Sequence, residues 1–92
     1  MGTKPVTGTF TGTANSAAID TNRGYFNISI SGTFNSSVQL QRSFDQGSTW
    51  LDVGAAITAA SEQVIHEPEA DVQYRFSNTW TSGTSVIYRI SQ

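Results

Sequence analysis

The sequence contains no cysteine. Neither a disulfide frame nor a thiolate metal site can therefore supplement its core. Histidine occurs once, at His66. A lone imidazole with no cysteine or second histidine does not make a zinc site. Charge is scarce as well: Asp, Glu, Lys and Arg together make 13% of the residues, about half the usual share. The five cations, Lys4, Arg23, Arg42, Arg75 and Arg89, are scattered, and the net charge is −2. Phosphate binding needs clustered cations, so nucleic acid is not an expected partner. No apolar run approaches the ~20 residues of a membrane-spanning helix, so no membrane partner is expected. "MGTKPVTGTF" has no apolar h-region, and no Sec-type signal is expected from it. G-x-S-x-G, the Walker loop and G-x-G-x-x-G are all missing. The reading is therefore of a non-enzymatic chain with no cofactor and no metal.

What the sequence has is alternation. Its polar residues are mostly uncharged Ser, Thr, Asn and Gln, and no window of useful length has helical periodicity. Such faces suit either a solvated surface or one that touches other protein. Seven strands are predicted: Val6–Thr13, Gly24–Gly32, Val38–Phe44, Thr49–Val53, Glu62–Glu67, Val72–Trp80 and Thr84–Ser91. Ala17–Ile19 has weak strand character. "FNSS", "DQGS", "PEAD" and "TSG" read as turns between strands. "GAAITAAS" reads as a loose connection or a short edge strand. Phe26, Ile28 and Ile30 share one face. So do Val38, Leu40 and Phe44; then Val72, Tyr74, Phe76 and Trp80; then Val86, Tyr88 and Ile90. Arg42 breaks its face, and either snorkels at a core rim or pairs with an acid.

At 92 residues the chain is expected to be one domain, with residues 1–5 as an N-terminal arm and 6–92 as a single β-sandwich. Short strands with turn signals every 8–12 residues point to an all-β, two-sheet antiparallel sandwich. A single sheet is not expected to hide Phe26, Ile28, Leu40, Tyr74, Phe76, Val86 and Ile90 together; two facing sheets could. The strand order resembles immunoglobulin-like and fibronectin type III domains. "ADVQYRF" resembles the approach to their sixth strand, where a tyrosine hydroxyl bonds back to upstream backbone; Tyr74 is the matching residue.

"SFDQGSTW" fits S-x-D-x-G-x-T-W at Ser43, Asp45, Gly47, Thr49 and Trp50. It resembles the Asp-box of sialidases and other β-propellers, where the motif is a structural hairpin turn. Asp at a turn start folds onto its own backbone N–H groups. Gly tolerates positive φ. Trp brings apolar area to anchor the turn. The resemblance implies Asp45 as turn acceptor, Gly47 as the left-handed residue and Trp50 as anchor. Glu67, Glu69 and Asp71 form an acidic knot around Pro68, read as a solvated loop, with a calcium ion or a basic partner as the alternatives. Trp50, Trp80, Tyr25 and Tyr88 are possible sugar-stacking platforms, though core or interface placement is the preferred reading of Trp80 and Tyr88.

Across Gly32–Ser91 the chain resembles a type of small all-β protein encoded by tailed bacteriophages. The matching residues are Val38, Leu40, Arg42, Ser43, Phe44, Asp45, Gly47, Thr49, Trp50, Tyr74, Arg75, Gly83 and Thr84. The resemblance implies a virion structural protein, foremost a decoration or cement protein on the head shell, with head–tail or tail accessory roles beside it. The implied partners are the major capsid protein or another virion protein and further copies of the chain, a trimer being favoured. The Thr-rich first strand and its "MGTKP" lead are candidates for an arm that pairs with an adjacent subunit's sheet edge. A carbohydrate-binding β-sandwich module is the reading from another functional class.

Overall fold

Alternating side chains in Gly24–Ser43 and Val72–Ser91 run through two unbroken strands of 20 residues each. The computed structural model describes residues 5–21 and 23–92. Of the expected arm, only Pro5 lies among the described residues, where it is exposed. The strands are β1 (Val6–Phe10), β2 (Ala14–Asn15), β3 (Ile19–Thr21), β4 (Gly24–Ser43), β5 (Leu51–Asp52), β6 (Ser61–Glu67) and β7 (Val72–Ser91). All seven belong to one antiparallel sheet. Its path is β1-β7-β4-β5, with β2 and β3 also on β7 and β6 also on β4.

The described residues are thus all-β with seven strands, but the division of the chain differs from the sequence reading. "FNSS" and "TSG" are not turns. They lie opposite one another in the β4–β7 ladder, with Phe34 against Gly83, Asn35 against Ser82 and Ser36 against Trp80. The register slips between Thr33 and Phe34 and again between Asn35 and Ser36, leaving Thr84 and Thr81 as extra residues on β7. Such bulges bend a strand and increase its twist without ending it. Two glycines make this corner possible. Gly32 (φ +106°) and Gly83 (φ +125°) hold backbone that other residues rarely adopt. A Cβ on Gly83 would lie 2.6 Å from Phe34 Cα, and one on Gly32 would meet the Ser85 carbonyl oxygen.

The corner folds the ladder over on itself. Tyr74 pairs with Arg42, which lies sixteen residues beyond Phe26 on β4. A straight strand would separate those two positions by roughly 50 Å. The rings of Phe26 and Tyr74 nevertheless stand 4.4 Å apart. Phe76 and Tyr88, twelve residues apart on β7, meet edge to face at 5.8 Å. Where the sequence reading expects two sheets in an immunoglobulin-like order, there is one sheet whose halves face each other. The two inner faces bury Phe26, Ile28, Ile30, Val38 and Leu40 of β4 against Val72, Tyr74, Phe76, Val86 and Ile90 of β7. Their even-numbered spacing continues through the corner, so one phase of alternation serves both halves.

Smaller differences have local causes. The first strand ends at Phe10 rather than Thr13, because the chain there leaves the Val86–Ile90 half of β7 and rejoins the other half at Ala14. Asn78 braces that crossing by donating to the Gly12 carbonyl. The Ala17–Ile19 signal becomes β3 at Ile19–Thr21. Of Thr49–Val53 only Leu51–Asp52 is strand. In "GAAITAAS", Ile57 makes a two-bond bridge to Val38, with N···O distances of 2.7 and 2.9 Å.

Candidate functional site

Two regions of the surface carry functional-site character: the turn that follows β4, and the outer face of the sheet half made by β6, β4, β7 and β1.

The turn is organised around Ser43, the last residue of β4, whose side chain is fully buried. Its Oγ accepts from Gly47 N–H at 2.8 Å and from Asp45 N–H at 3.3 Å, and donates to Asp45 Oδ1 at 2.7 Å. The same Asp45 oxygen accepts from Thr49 N–H at 2.8 Å. These bonds, the Ser43 hydroxyl foremost, hold the Asp45 carboxyl below its ordinary pKa. Gly47 takes φ +92°, and Gln46 before it is also left-handed at +61°. The Trp50 ring is covered by the Arg75 guanidinium, 4.3 Å from its centroid. Arg75 Nε donates to Gln41 Oε1 and Gln41 Nε2 donates to Asp52 Oδ1, each at 3.0 Å, which ties β7, β4 and β5 across the outer surface. Burial draws the Arg75 pKa down from its ordinary value, although the guanidinium stays charged. Phe44, expected in the core with Val38 and Leu40, is instead exposed beneath Arg42 at 4.9 Å, because the strand ends one residue before it.

Beside this turn lies a buried carboxylate. Glu67 is 1% exposed and accepts from Tyr74 Oη at 2.6 Å and from Glu69 N–H at 3.1 Å. Arg42 Nη1 stands 3.6 Å from it, with its own side chain 38% exposed. Arg42 therefore both sits at the rim and pairs with an acid. Burial, followed by the bond to Glu67 and its charge, pushes the Tyr74 hydroxyl up to about 12. The tyrosine bonds a side chain seven residues upstream, not the backbone expected from the fibronectin-like reading. The acidic knot likewise does not gather: Glu67 points inward, while Glu69 and Asp71 are exposed. The signal for this was the phase of β6, which puts Glu67 on the side of Ile65. Among the described residues, no three His, Asp or Glu side chains group as metal ligands would.

The outer face carries the other phase. Its rows run Thr9–Ile87–Ser31, then Thr7–Arg89–Ser29–Glu62, then Ser91–Asn27–Val64, then Tyr25–His66. No family model, no curated protein and no solved structure matches the chain. The site must therefore be read from its own chemistry. Tyr25, Val64 and Ile87 are 68%, 66% and 49% exposed. They sit among Ser, Thr and Asn, with Arg89, Glu62 and His66 beside them on the same face. A shallow hollow of about 480 Å³ lies on this face, lined by Asn27, Ser29, Glu62, Val64, Arg89 and Ser91. The Tyr25 ring stacks on His66 at 4.8 Å. Of the other candidate platforms, Trp50 lies under Arg75, while Trp80 and Tyr88 pack against the core, Tyr88 stacked on Phe10 at 4.5 Å.

Proposed function

We propose that this chain is a non-catalytic structural protein of a tailed-phage virion, a decoration or cement protein that binds the head shell. Its partners on this reading are the major capsid protein and further copies of itself, three being the number the resemblance implies. The observation that carries the reading is the outer face of β6, β4, β7 and β1. It exposes three large apolar side chains among mostly uncharged residues around a shallow hollow, which is the chemistry of a protein-contact patch rather than of an enclosed ligand cleft. The resemblance across Gly32–Ser91 supplies the virion as the place. Architecturally, the folded ladder is a one-sheet counterpart of the two-layer sandwich, its two halves playing the parts of the two immunoglobulin-like layers.

Mass spectrometry of purified particles, with density at a fixed lattice position by electron cryomicroscopy, tests the proposal. Absence from particles ends it; presence at the portal or on the tail moves the role to a head–tail or tail accessory protein. A carbohydrate-binding module is the second reading, favoured by the exposed Tyr25 ring beside the polar hollow. Binding on a glycan array that is lost in Tyr25→Ala and kept in Trp80→Phe would establish it.

A further inference from the structure

Strand β6 forms one border of the sheet. Among the described residues its seven residues pair with β4 alone, in a register unbroken from Gly24–Glu67 to Ile30–Ser61. Borders of this kind present a row of backbone N–H and C=O groups to any second strand, and folded proteins usually guard them with proline, lysine, a bulge or short length. The other borders are short: β2, β3 and β5 have two or three residues, and β1 has five and begins after Pro5. β6 has no proline, no lysine and no bulge within it, and Pro68 follows immediately after its last residue.

The sequence of this border is complementary to itself. When two copies of Ser61–Glu67 are laid antiparallel about Val64, all seven residues pair. Glu62 of one copy then faces His66 of the other on both sides of the centre, and Val64 faces Val64. Glu62, Val64 and His66 share the outer face and are exposed, so these cross-strand pairs form on one surface. Glu62 already accepts from Ser29 Oγ at 2.5 Å through Oε2, which leaves Oε1 for the imidazole N–H across the border. Neutral histidine suffices as that donor. Sliding the register by two residues either way pairs only five residues and sets Glu62 against Val64 or Pro68. The pairing with the most bonds is also the one that sets a donor against each Glu62 carboxylate.

We infer that β6 is a self-recognition edge, at which two copies of this chain join antiparallel along Ser61–Glu67 about a two-fold axis at Val64. The contact is isologous and closes at two copies. It does not rest on the virion reading, and it departs from the trimer that the resemblance implies. It joins two four-stranded outer faces into one eight-stranded surface carrying Tyr25, Val64 and Ile87 twice.

The absence of cysteine makes the test clean. In Val64→Cys the two thiols would face each other across the axis, at the 4.5–5.5 Å Cα separation (roughly) of directly opposed antiparallel residues. That separation suits a disulfide. Mild oxidation of the full chain is expected to convert nearly all of Val64→Cys to a covalent dimer, and to leave Thr9→Cys, exposed on β1, as single chains. Sedimentation equilibrium of the unsubstituted chain is expected to give a mass of two. His66→Glu, which sets carboxylate against carboxylate, is expected to weaken association at least about tenfold, and the exchange Glu62→His with His66→Glu to restore it. Circular dichroism establishes that each variant is folded. A single-chain or three-chain mass at every concentration, equal cross-linking at Thr9 and Val64, or a folded exchange variant that does not associate would overturn the inference.

Discussion

Replacing Gly83 with alanine tests the corner directly. The residue sits at φ +125°, a region essentially reserved for glycine, and forcing another residue there costs about 1–3 kcal/mol. The added Cβ also lies 2.6 Å from Phe34 Cα and 2.8 Å from the Thr33 carbonyl oxygen, closer than real Cβ atoms come. Both neighbours are backbone, so relief requires the opposite strand to move, at a further ~1–3 kcal/mol. The sum is roughly 2–6 kcal/mol, against a total stability of about 5–14 kcal/mol for a chain of this length. At about 4–8 °C for each kcal/mol, Tm is expected to fall by at least ~8 °C. Urea unfolding followed by tryptophan fluorescence and circular dichroism measures the loss. Gly12→Ala is the control: nothing lies within 4 Å of its Cβ, and a change of less than ~1 kcal/mol is expected. A Gly83→Ala protein within ~1 kcal/mol of the unsubstituted one would refute the argument that the folded ladder depends on this backbone.

Three other sites give expected outcomes. Ser43→Ala removes the first cause of the depressed Asp45 pKa, so the carboxyl should titrate nearer its ordinary value when followed by NMR. A depressed folded-state pKa means stability that is full above the unfolded value and lost as pH falls through the folded one. The urea midpoint should therefore drop below about pH 4 less steeply in Asp45→Asn than in the unsubstituted chain. Tyr74→Phe leaves the buried Glu67 with one donor fewer, and Glu67→Ala leaves the buried Tyr74 hydroxyl without its acceptor; each should cost about 1–3 kcal/mol in chemical denaturation. The raised Tyr74 pKa stabilises the fold below pH ~10 and is lost as pH rises through about 12, so the ultraviolet tyrosinate step near 12 should vanish in Tyr74→Phe. Ile87→Glu should abolish attachment to particles with Tm almost unchanged, since its side chain makes no part of the core.

Alternation was legible throughout. Phe26, Ile28, Leu40, Tyr74, Phe76, Val86 and Ile90, assigned inward from period two alone, all lie in the core. The number of sheets was not legible. Gly32 and Gly83, flanked by Asn, Ser and Thr, have the composition of a hairpin turn, and a bulge asks for the same residues. What separates the two is whether another strand continues alongside, and here that strand lies more than 40 residues away in the sequence. The buried Glu67 was hidden for a related reason. Its neighbours Glu69 and Asp71 suggest solvent, while the groups that satisfy it, Tyr74 and Arg42, meet it only through the fold-over. At the turn, local residues dictate local geometry, and the Asp45, Gly47 and Thr49 positions could be read directly. The hub role of Ser43 needed the structure, because its burial comes from the end of a long strand and not from the motif.

The position of β7 bears on how the chain reaches its native state. It follows β1, β2, β3 and β4 in the chain, yet it pairs with all four. Until it has left the ribosome, the first three strands have no partner and β4 lacks its longest one. Assembly of the sheet must therefore wait until β7 is available, when loops of up to roughly 80 residues close. Until then β1, β2 and β3 stay unpaired, open to chaperones and to strands of other chains.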